Sequence, residues 1–449
     1  MNTDPANLIS FINELMYPTS TSKTDHGEVF TPFGLINEML NNLPEEYWSD
    51  PTKTWIDPAA GIGNFQFAIY DRLYTGLKKV IPDNDERKKH IIENMLYYAE
   101  YTSMNVTIYK KLIDPENKYK LNIFCGDSLS AEFNNVINNM WNIKSFDVVI
   151  GNPPYNEYGL QKTIYDKFFF AFEKRCVVLM FITPHRWVKG GKSNLDALRS
   201  YMFNSNKLSI LQSLSKEEFP GTDIEGGVSY FVFDNNYNGK LKYNNSIIDL
   251  TKYDILVEGK YIGLLEKILK SKQFLSSLIT NNISNIQSNL TIEQIGIDFS
   301  NIKTEEYPIL LHVNNSLGHK KYLNKDIINT NATLKKYLDC IKVSTMRANG
   351  SAPSFGRKVI VKKGETASKS YINFIVDTEI QANNLMSYLN TNFCNFFLHL
   401  RKITQSINKK KLLWIPLMDL NIEWSDEKLF KHFDLSQNEI RMINDVYKK

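Results

Sequence analysis

Four consecutive residues, Asn152-Pro153-Pro154-Tyr155, combine groups that can bind an exocyclic amine. They follow the apolar, β-branched run 146–151, which predicts a buried strand ending in a Gly turn. The side-chain amide of Asn152 and the carbonyl of Pro153 can both accept hydrogen bonds from one NH2 group, and the prolines restrict the backbone that carries these acceptors. Tyr155 adds a flat ring on which a planar substrate can stack. A Pro-rich turn with a half-buried Tyr is the alternative, and the preceding Asn and strand disfavour it.

A second polar turn lies upstream, after the predicted strand 54–57. Gly61 and Gly63 let the backbone approach a ligand closely, and the helix that begins near Phe65 directs its N-terminus at polar ligand groups. The pattern differs from the dinucleotide-binding G-x-G-x-x-G. Asp57, followed by Ala59 in the turn, suits a ligand with a charged amino acid end better than a pyrophosphate.

Two further acids end predicted strands. Glu100 follows the run 96–99, where a carboxylate can hold a ribose diol, and Asp127 follows 121–125, where it can accept from an adenine amino group. For each acid singly, a helix cap or a solvated turn is the more frequent explanation. Because the carboxyl ends of parallel strands meet at one edge of an open α/β sheet, the acids and Asn152 together predict a cofactor cleft there.

In this order the motifs resemble the S-adenosylmethionine-dependent DNA amino-methyltransferases of the gamma arrangement, in the adenine-N6 branch. Residues 27–32, 183–187, 218–220 and 226–231 are similar to further motifs of that family, so the resemblance covers about residues 26–235. It departs after Glu100, where Tyr101-Thr102 replaces the usual small residue and Asp or Asn. The resemblance implies S-adenosyl-L-methionine as cofactor, bound by Thr31, Pro32, Asp57, Ala59, Gly61, Gly63, Phe65, Glu100 and Asp127.

The same resemblance implies a mechanism. The target adenine must leave the duplex to reach the cleft, so two aromatic rings are expected to replace its lost stacking. Hydrogen bonds to N6 would stabilise the positive charge that develops as the methyl group transfers, and no covalent intermediate is needed. The expected catalytic residues are Asn152, Pro153, Pro154, Tyr155 and Phe219.

Alternating strand and helix patterns predict an α/β fold: a Rossmann-like methyltransferase sheet, mostly parallel with an antiparallel edge strand, over residues 1–240. Residues 241–449 are expected to form a mixed α+β target-recognition domain. Thr31 as N-cap and Pro32 as first helical residue predict a helix that ends before Pro44 and covers the cleft.

Positive charge is concentrated between Lys335 and Lys411, where fourteen Lys and Arg face four acids, although the whole chain carries only +4. Neutralisation of DNA phosphates is the obvious use of this surplus, and a solvated basic surface is the alternative. The residues expected to contact double-stranded DNA are Arg347, Arg357, Lys358, Arg401 and Lys402.

The rest of the composition is that of an ordinary globular protein. Four scattered cysteines, no apolar run long enough for a membrane span and no signal peptide predict a cytoplasmic protein without membrane contact. His185 and the other histidines lack partners at ligand spacing, which predicts no metal. Together these features predict an adenine-specific DNA methyltransferase, either solitary or serving a separate restriction endonuclease.

Two alternatives remain. A protein methyltransferase that modifies glutamine amides would use the same Asn-Pro-Pro-Tyr loop, but it would not require a basic C-terminal domain of this size. A non-catalytic DNA-binding specificity subunit is disfavoured because every expected catalytic position is occupied.

Overall fold

The computed structural model describes residues 31–157, 162–190, 193–215, 217, 227–287, 297–313, 321–350, 352–402 and 405–447. The chain divides into two compact units, Met1–Gly259 and Lys260–Lys449. The division falls later than the boundary expected at residue 240, because two strands that follow residue 240 pair with the sheet of the first unit. No described helix is long and apolar enough to cross a membrane.

The first unit is built around one large sheet. Its strands are β1 Trp55–Asp57, β2 Leu96–Glu100, β3 Asn122–Cys125, β4 Phe146–Gly151, β5 Cys176–Pro184, β6 Leu208–Leu214, β7 Val228–Asp234, β8 Leu241–Tyr243 and β9 Ser246–Ile248. Its helices are α1 Phe33–Leu40, α2 Asn64–Gly76, α3 Asn84–His90, α4 Ser103–Ile113, α5 Ala131–Asn135, α6 Tyr165–Phe172 and α7 Ser193–Asn204.

The described strands of this sheet run in the order β3-β2-β1-β4-β5-β7-β6-β8-β9. Strands β1 to β5 run parallel to one another, as expected for buried apolar strands joined by helices. The antiparallel strand β7 lies between β5 and β6 instead of at the edge, which is formed by the β8–β9 hairpin. The predicted α/β class and mostly parallel sheet are confirmed.

Helix α1 starts later than the sequence indicated. Pro32 has extended backbone angles and stands at the N-cap without a side-chain cap hydrogen bond, so Thr31 is not the N-cap. Thr31 is buried, and its hydroxyl accepts a hydrogen bond from Asn152. The helix packs its buried face on the first unit and is fastened by the Tyr230 hydroxyl, which donates to Glu38 Oε1 at 2.9 Å.

The second unit is mixed α+β, as predicted. One described sheet has the order β10-β17-β14-β15, and another has the order β11-β13-β12-β16. These strands are β10 Ile279–Thr280, β11 Phe299–Ser300, β12 Ile309–His312, β13 Lys321–Leu323, β14 Ile341–Met346, β15 Lys358–Val361, β16 Glu365–Ala367 and β17 Tyr371–Val376. The helices are α8 Ile262–Ile268, α9 Ile327–Thr330, α10 Ala332–Tyr337, α11 Glu379–Tyr388, α12 Asn392–Arg401, α13 Asp426–His432 and α14 Gln437–Asp445.

Candidate active site at the carboxyl edge of the first sheet

The carboxyl ends of β1 to β4 lie side by side and carry the polar residues that the sequence predicted. Short hydrogen bonds join their loops: Gly61 N donates to Glu100 Oε2 at 2.9 Å, and Ser128 Oγ donates to the Pro58 carbonyl at 2.5 Å. The turn after β1 therefore contacts the ends of both β2 and β3. One continuous polar edge results, as expected for a ligand cleft in an open α/β sheet.

Asp57, at the end of β1, holds a carboxylate inside the protein. It is 1% exposed, and its Oδ1 accepts from the backbone N–H of Ala59 at 3.0 Å. Its Oδ2 is buried without a hydrogen-bond partner among the described residues. Burial raises the pKa of Asp57 well above its ordinary value, the Ala59 N–H opposes this shift, and the charge of Glu100 adds to it. A cationic or donor group of a ligand would satisfy this oxygen.

Gly151, the last residue of β4, makes room for that carboxylate. A Cβ at this position would overlap Asp57 Oδ1. The side chain of Asp57 and the strand that leads to the Asn152 loop therefore lie in direct contact. From the sequence, Gly151 is expected only as a turn residue, and a Gly at the end of an otherwise apolar strand is the signal for this close approach.

The turn between β1 and α2 is shaped by its two glycines and two tyrosines. Gly63 has φ +98°, and a Cβ there would overlap the Tyr109 ring. The Tyr98 and Tyr109 rings stack at 4.2 Å between centroids, and the Tyr98 hydroxyl donates to the Gly61 carbonyl at 2.5 Å. This packing fixes the conformation of the turn.

Glu100 and Asp127 differ in how they are held. Both oxygens of Glu100 accept backbone hydrogen bonds, from Gly61 N at 2.9 Å and from Thr102 N at 2.8 Å, and the residue is 8% exposed. Asp127 is exposed, and its Oδ1 accepts from Leu129 N at 2.9 Å. Glu100 therefore braces the glycine turn, a role that its position at the end of a strand did not indicate.

The Asn152-Pro153-Pro154-Tyr155 loop extends from β4, with Pro153 buried, Pro154 exposed and the other two residues half-buried. Asn152 Nδ2 donates to Thr31 Oγ1 at 3.5 Å, and the Thr31 carbonyl accepts from Asn64 Nδ2 at 3.1 Å. Burial raises the pKa of the Tyr155 hydroxyl, partly opposed by a hydrogen bond with Asn152. The residues before α1, the start of α2 and the loop after β4 thus meet.

The segment after Tyr155 folds back on this loop. Ile164 N donates to the Tyr155 carbonyl at 3.2 Å, and an isolated antiparallel bridge pairs Asn156 with Thr163. The buried Thr163 hydroxyl accepts from Asn194 Nδ2 on α7 at 2.7 Å. Thr163 and Asn194 are not predicted from the sequence, because no pattern in the chain connects two polar residues that distant in sequence.

Phe219, expected as the second aromatic ring, lies outside the described residues, as do residues 27–30. His185 packs against Tyr243 with ring centroids 6.0 Å apart, and burial lowers its pKa to about 4. It is therefore a neutral core residue. The parts of the chain that the structure describes contain no group of three or more His, Cys, Asp or Glu able to hold a metal ion.

The five residues expected to bind DNA have different environments in the second unit. Arg357 is exposed, Lys358 and Arg347 are half-buried, and Arg347 Nη2 donates to the Asn281 carbonyl at 2.6 Å. Arg401 is 4% exposed, donates to the Lys410 carbonyl at 2.7 Å and lies 4.3 Å from the Trp414 ring centroid. Lys402 donates to the Ala352 carbonyl at 2.6 Å. Arg401 and Lys402 thus donate to backbone carbonyls of the protein itself, so we do not propose a phosphate contact for them.

The chain is similar to several known proteins. A solved structure of the modification subunit of a putative type I restriction enzyme from Vibrio vulnificus YJ016 is 14% identical with a TM-score of 0.41, over 58% of this chain and 57% of that one. The type IIL restriction-modification enzyme MmeI in complex with DNA is 12% identical with a TM-score of 0.45, over 99% of this chain and 79% of that one. The chain thus spans little more than half of the Vibrio subunit.

An uncharacterized adenine-specific methylase of Mycoplasma pneumoniae is 27% identical, and the match covers 56% of this chain and 79% of that protein. Residues 80–219 match the Eco57I restriction-modification methylase family. That range includes Glu100, Asp127 and the Asn152-Pro153-Pro154-Tyr155 loop. This part of the chain is therefore similar to the Eco57I restriction-modification methylases.

Proposed function

We propose that the chain is a site-specific DNA methyltransferase that transfers a methyl group from S-adenosyl-L-methionine to N6 of a flipped adenine in duplex DNA. One observation carries the proposal. Asn152, whose amide is held by Thr31, directly follows Gly151, and Gly151 lies against the side chain of Asp57. The buried Oδ2 of Asp57 has no hydrogen-bond partner among the described residues. The matched family and the methylase relative support the same reaction.

Each of the three acids would bind a different part of the cofactor. Asp57 would hold its positively charged amino acid end, which satisfies the buried carboxylate oxygen. Glu100 would use its remaining lone pairs for the ribose hydroxyls, and the exposed Asp127 would accept from the adenine amine. Thr31, Pro32, Ala59, Gly61, Gly63 and Phe65 would form the walls of the cleft. S-adenosylmethionine supplies an activated methyl group on its sulfonium.

Catalysis depends on the orientation of one amide. Because Asn152 Nδ2 donates to Thr31 Oγ1, Oδ1 is presented as the acceptor. Oδ1 and the Pro153 carbonyl would accept from the adenine N6 and stabilise its developing positive charge. Pro154 limits backbone movement, and Tyr155 would stack on the flipped base. Phe219 is proposed as the second stacking ring.

The arrangement of the chain supports the gamma class, because the Thr31 segment precedes the Asp57 turn and the basic second unit follows the catalytic one. We assign target recognition in duplex DNA to that second unit. As a modification enzyme, the protein would act beside a separate restriction endonuclease; as a solitary methylase, it would need no such partner.

Replacing Asn152 with Ala tests the function. The variant should lose about a hundredfold or more in methyl transfer, on the order of 3 kcal/mol of transition-state stabilisation, while S-adenosylmethionine affinity stays largely intact. Transfer is measured by mass spectrometry of N6-methyladenine in digested DNA, and affinity is measured by calorimetry. Asn139→Ala, at an exposed position outside the site, is the control. Near wild-type turnover of Asn152→Ala would contradict the proposal, as would methylation of a glutamine peptide instead of DNA.

A further inference from the structure

Two segments of the second unit, 347–350 and 405–411, pair with each other and form what we call the basic clip. Ile407 N donates to the Arg347 carbonyl at 2.6 Å, Asn349 N donates to the Gln405 carbonyl at 3.3 Å, and an isolated bridge joins Ala348 to Ser406. The two segments contain four cations and no acid.

Lys411 and Lys402 stabilise the basic clip through hydrogen bonds to backbone carbonyls. Lys411 is 7% exposed and donates to the Ser406 carbonyl at 2.6 Å. Lys402 donates to the carbonyls of Ala352 at 2.6 Å and Asn349 at 3.5 Å. Burial and the neighbouring charge of Lys402 lower the pKa of Lys411 to about 8. These cations therefore serve the shape of the clip, because their ammonium groups point at protein carbonyls.

The outer side of the clip carries groups of a different kind. Lys409 and Lys410 are exposed, and neither belongs to an ion pair between described residues of the second unit. Gln405, Ser406 and Asn408 are also exposed. Ammonium groups suit phosphates, whereas amide and hydroxyl groups can reach phosphates or base edges.

We propose that the basic clip is a contact surface for the DNA backbone, in which Lys409 and Lys410 neutralise phosphates while Arg401, Lys402 and Lys411 maintain its conformation. The inference rests on the proposed function for the identity of the partner. It goes beyond that function by separating the cations of the basic segment into two roles. A braced surface loses little conformational entropy on binding, which favours affinity.

The salt dependence of DNA binding by the full-length chain tests the inference. Fluorescence anisotropy with a random-sequence duplex gives log K at several salt concentrations for the wild type and for Lys409→Gln/Lys410→Gln. Two lost phosphate contacts should reduce the slope of log K against log salt by about 1.8. The matched control is Lys335→Gln/Lys336→Gln, two consecutive exposed lysines on α10 in the same basic segment, and its slope should equal that of the wild type.

An unchanged slope for Lys409→Gln/Lys410→Gln overturns the inference, and so does an equal loss in the control. Thermal unfolding of each variant shows whether the fold is retained; both sites are exposed, so unchanged midpoints are expected. Methyl transfer by the wild type is measured separately. If the wild type methylates adenine but the slopes agree, the clip assignment alone fails. If it methylates no adenine, the proposed function fails, and the slopes still decide whether the clip binds nucleic acid.

Discussion

At the scale of single residues, Asp57 is expected to affect both the stability of the protein and its proposed cofactor binding. Its carboxylate is almost completely buried, and Oδ2 has no hydrogen-bond partner among the described residues. A buried polar atom in that state costs about 1–3 kcal/mol of folding free energy. The residue therefore destabilises the ligand-free protein, and binding of the proposed cofactor would relieve that cost.

Asp57→Asn should stabilise the ligand-free protein by about 1–3 kcal/mol at neutral pH, because it removes the buried charge and keeps an oxygen for the Ala59 N–H. Burial raises the pKa of Asp57 in the folded state above the unfolded value of 3.8. The carboxyl group's contribution is thus most favourable below pH 3.8 and is lost as the pH rises through the folded-state pKa. The difference between variant and wild type should shrink as the pH falls towards 4.

Denaturant unfolding of both proteins at several pH values measures this difference. With S-adenosylmethionine present, the wild type should gain more stability than the variant, because the ligand binds only the folded state and Asp57 is proposed to hold its charged end. Equal ligand-induced gains in both proteins would remove Asp57 from the cofactor site. A pH-independent difference would show that the carboxylate is not the source of the effect.

At the scale of elements, the loop 152–155 is held by the segment that returns from it to α6. Thr163→Val keeps the shape of the side chain and removes the acceptor for Asn194, so the loop loses a bond worth about 1 kcal/mol. We expect kcat to fall about fivefold if that energy is spent on positioning, with S-adenosylmethionine affinity unchanged.

Thr163→Ser should restore the rate because it keeps the hydroxyl. Asn194→Ala should match the defect of Thr163→Val, and the double variant should be no worse than either alone, since both remove the same contact. Additive losses in steady-state kinetics would mean that the two residues act independently of each other, and their hydrogen bond would then not account for the defect.

The sequence predicted the parts of this site that depend on local pattern. Asp57, Glu100 and Asn152 follow apolar strands, and parallel strands bring their carboxyl ends to one edge whatever the details of packing. The α/β class and the sheet of the first unit were confirmed for the same reason.

Packing determined what the sequence did not reveal. Arg401 was expected to face DNA, but it lies on Trp414 and donates to the Lys410 carbonyl, contacts that a charge count cannot predict. Thr is a residue type common at N-caps, but Pro32 takes that position in α1. The Thr31 hydroxyl instead accepts a hydrogen bond from Asn152. Strand β7 lies inside the sheet because β6 pairs with the side of β7 that does not face β5. The apolar residues of β6 alternate only weakly, so the sequence contained little indication of this pairing.

At the scale of the whole molecule, the two units permit a division of labour to be tested. A fragment that ends at Gly259 contains the whole described sheet of the first unit. It should bind S-adenosylmethionine with near wild-type affinity but methylate no duplex site, because the proposed target-recognition unit is missing. Calorimetry and the N6-methyladenine assay measure the two properties.

A fragment that ends at residue 240 serves as the comparison. It lacks β8, which pairs with β6, and β9, so it should unfold at lower denaturant concentration than the longer fragment. Equal stability of the two fragments would show that these strands contribute little, and duplex methylation by either would place target recognition in the first unit.

The strand order also has a consequence for synthesis on the ribosome. Strand β6 pairs only with β7 and β8 among the described strands, and both follow it in the chain. Leu208, Ile210 and Leu211 therefore leave the exit tunnel before either partner strand has left it. At about 5–20 residues per second, the wait for β7 lasts on the order of seconds. In that interval β6 is an unpaired apolar segment, the kind of sequence that nascent-chain chaperones bind.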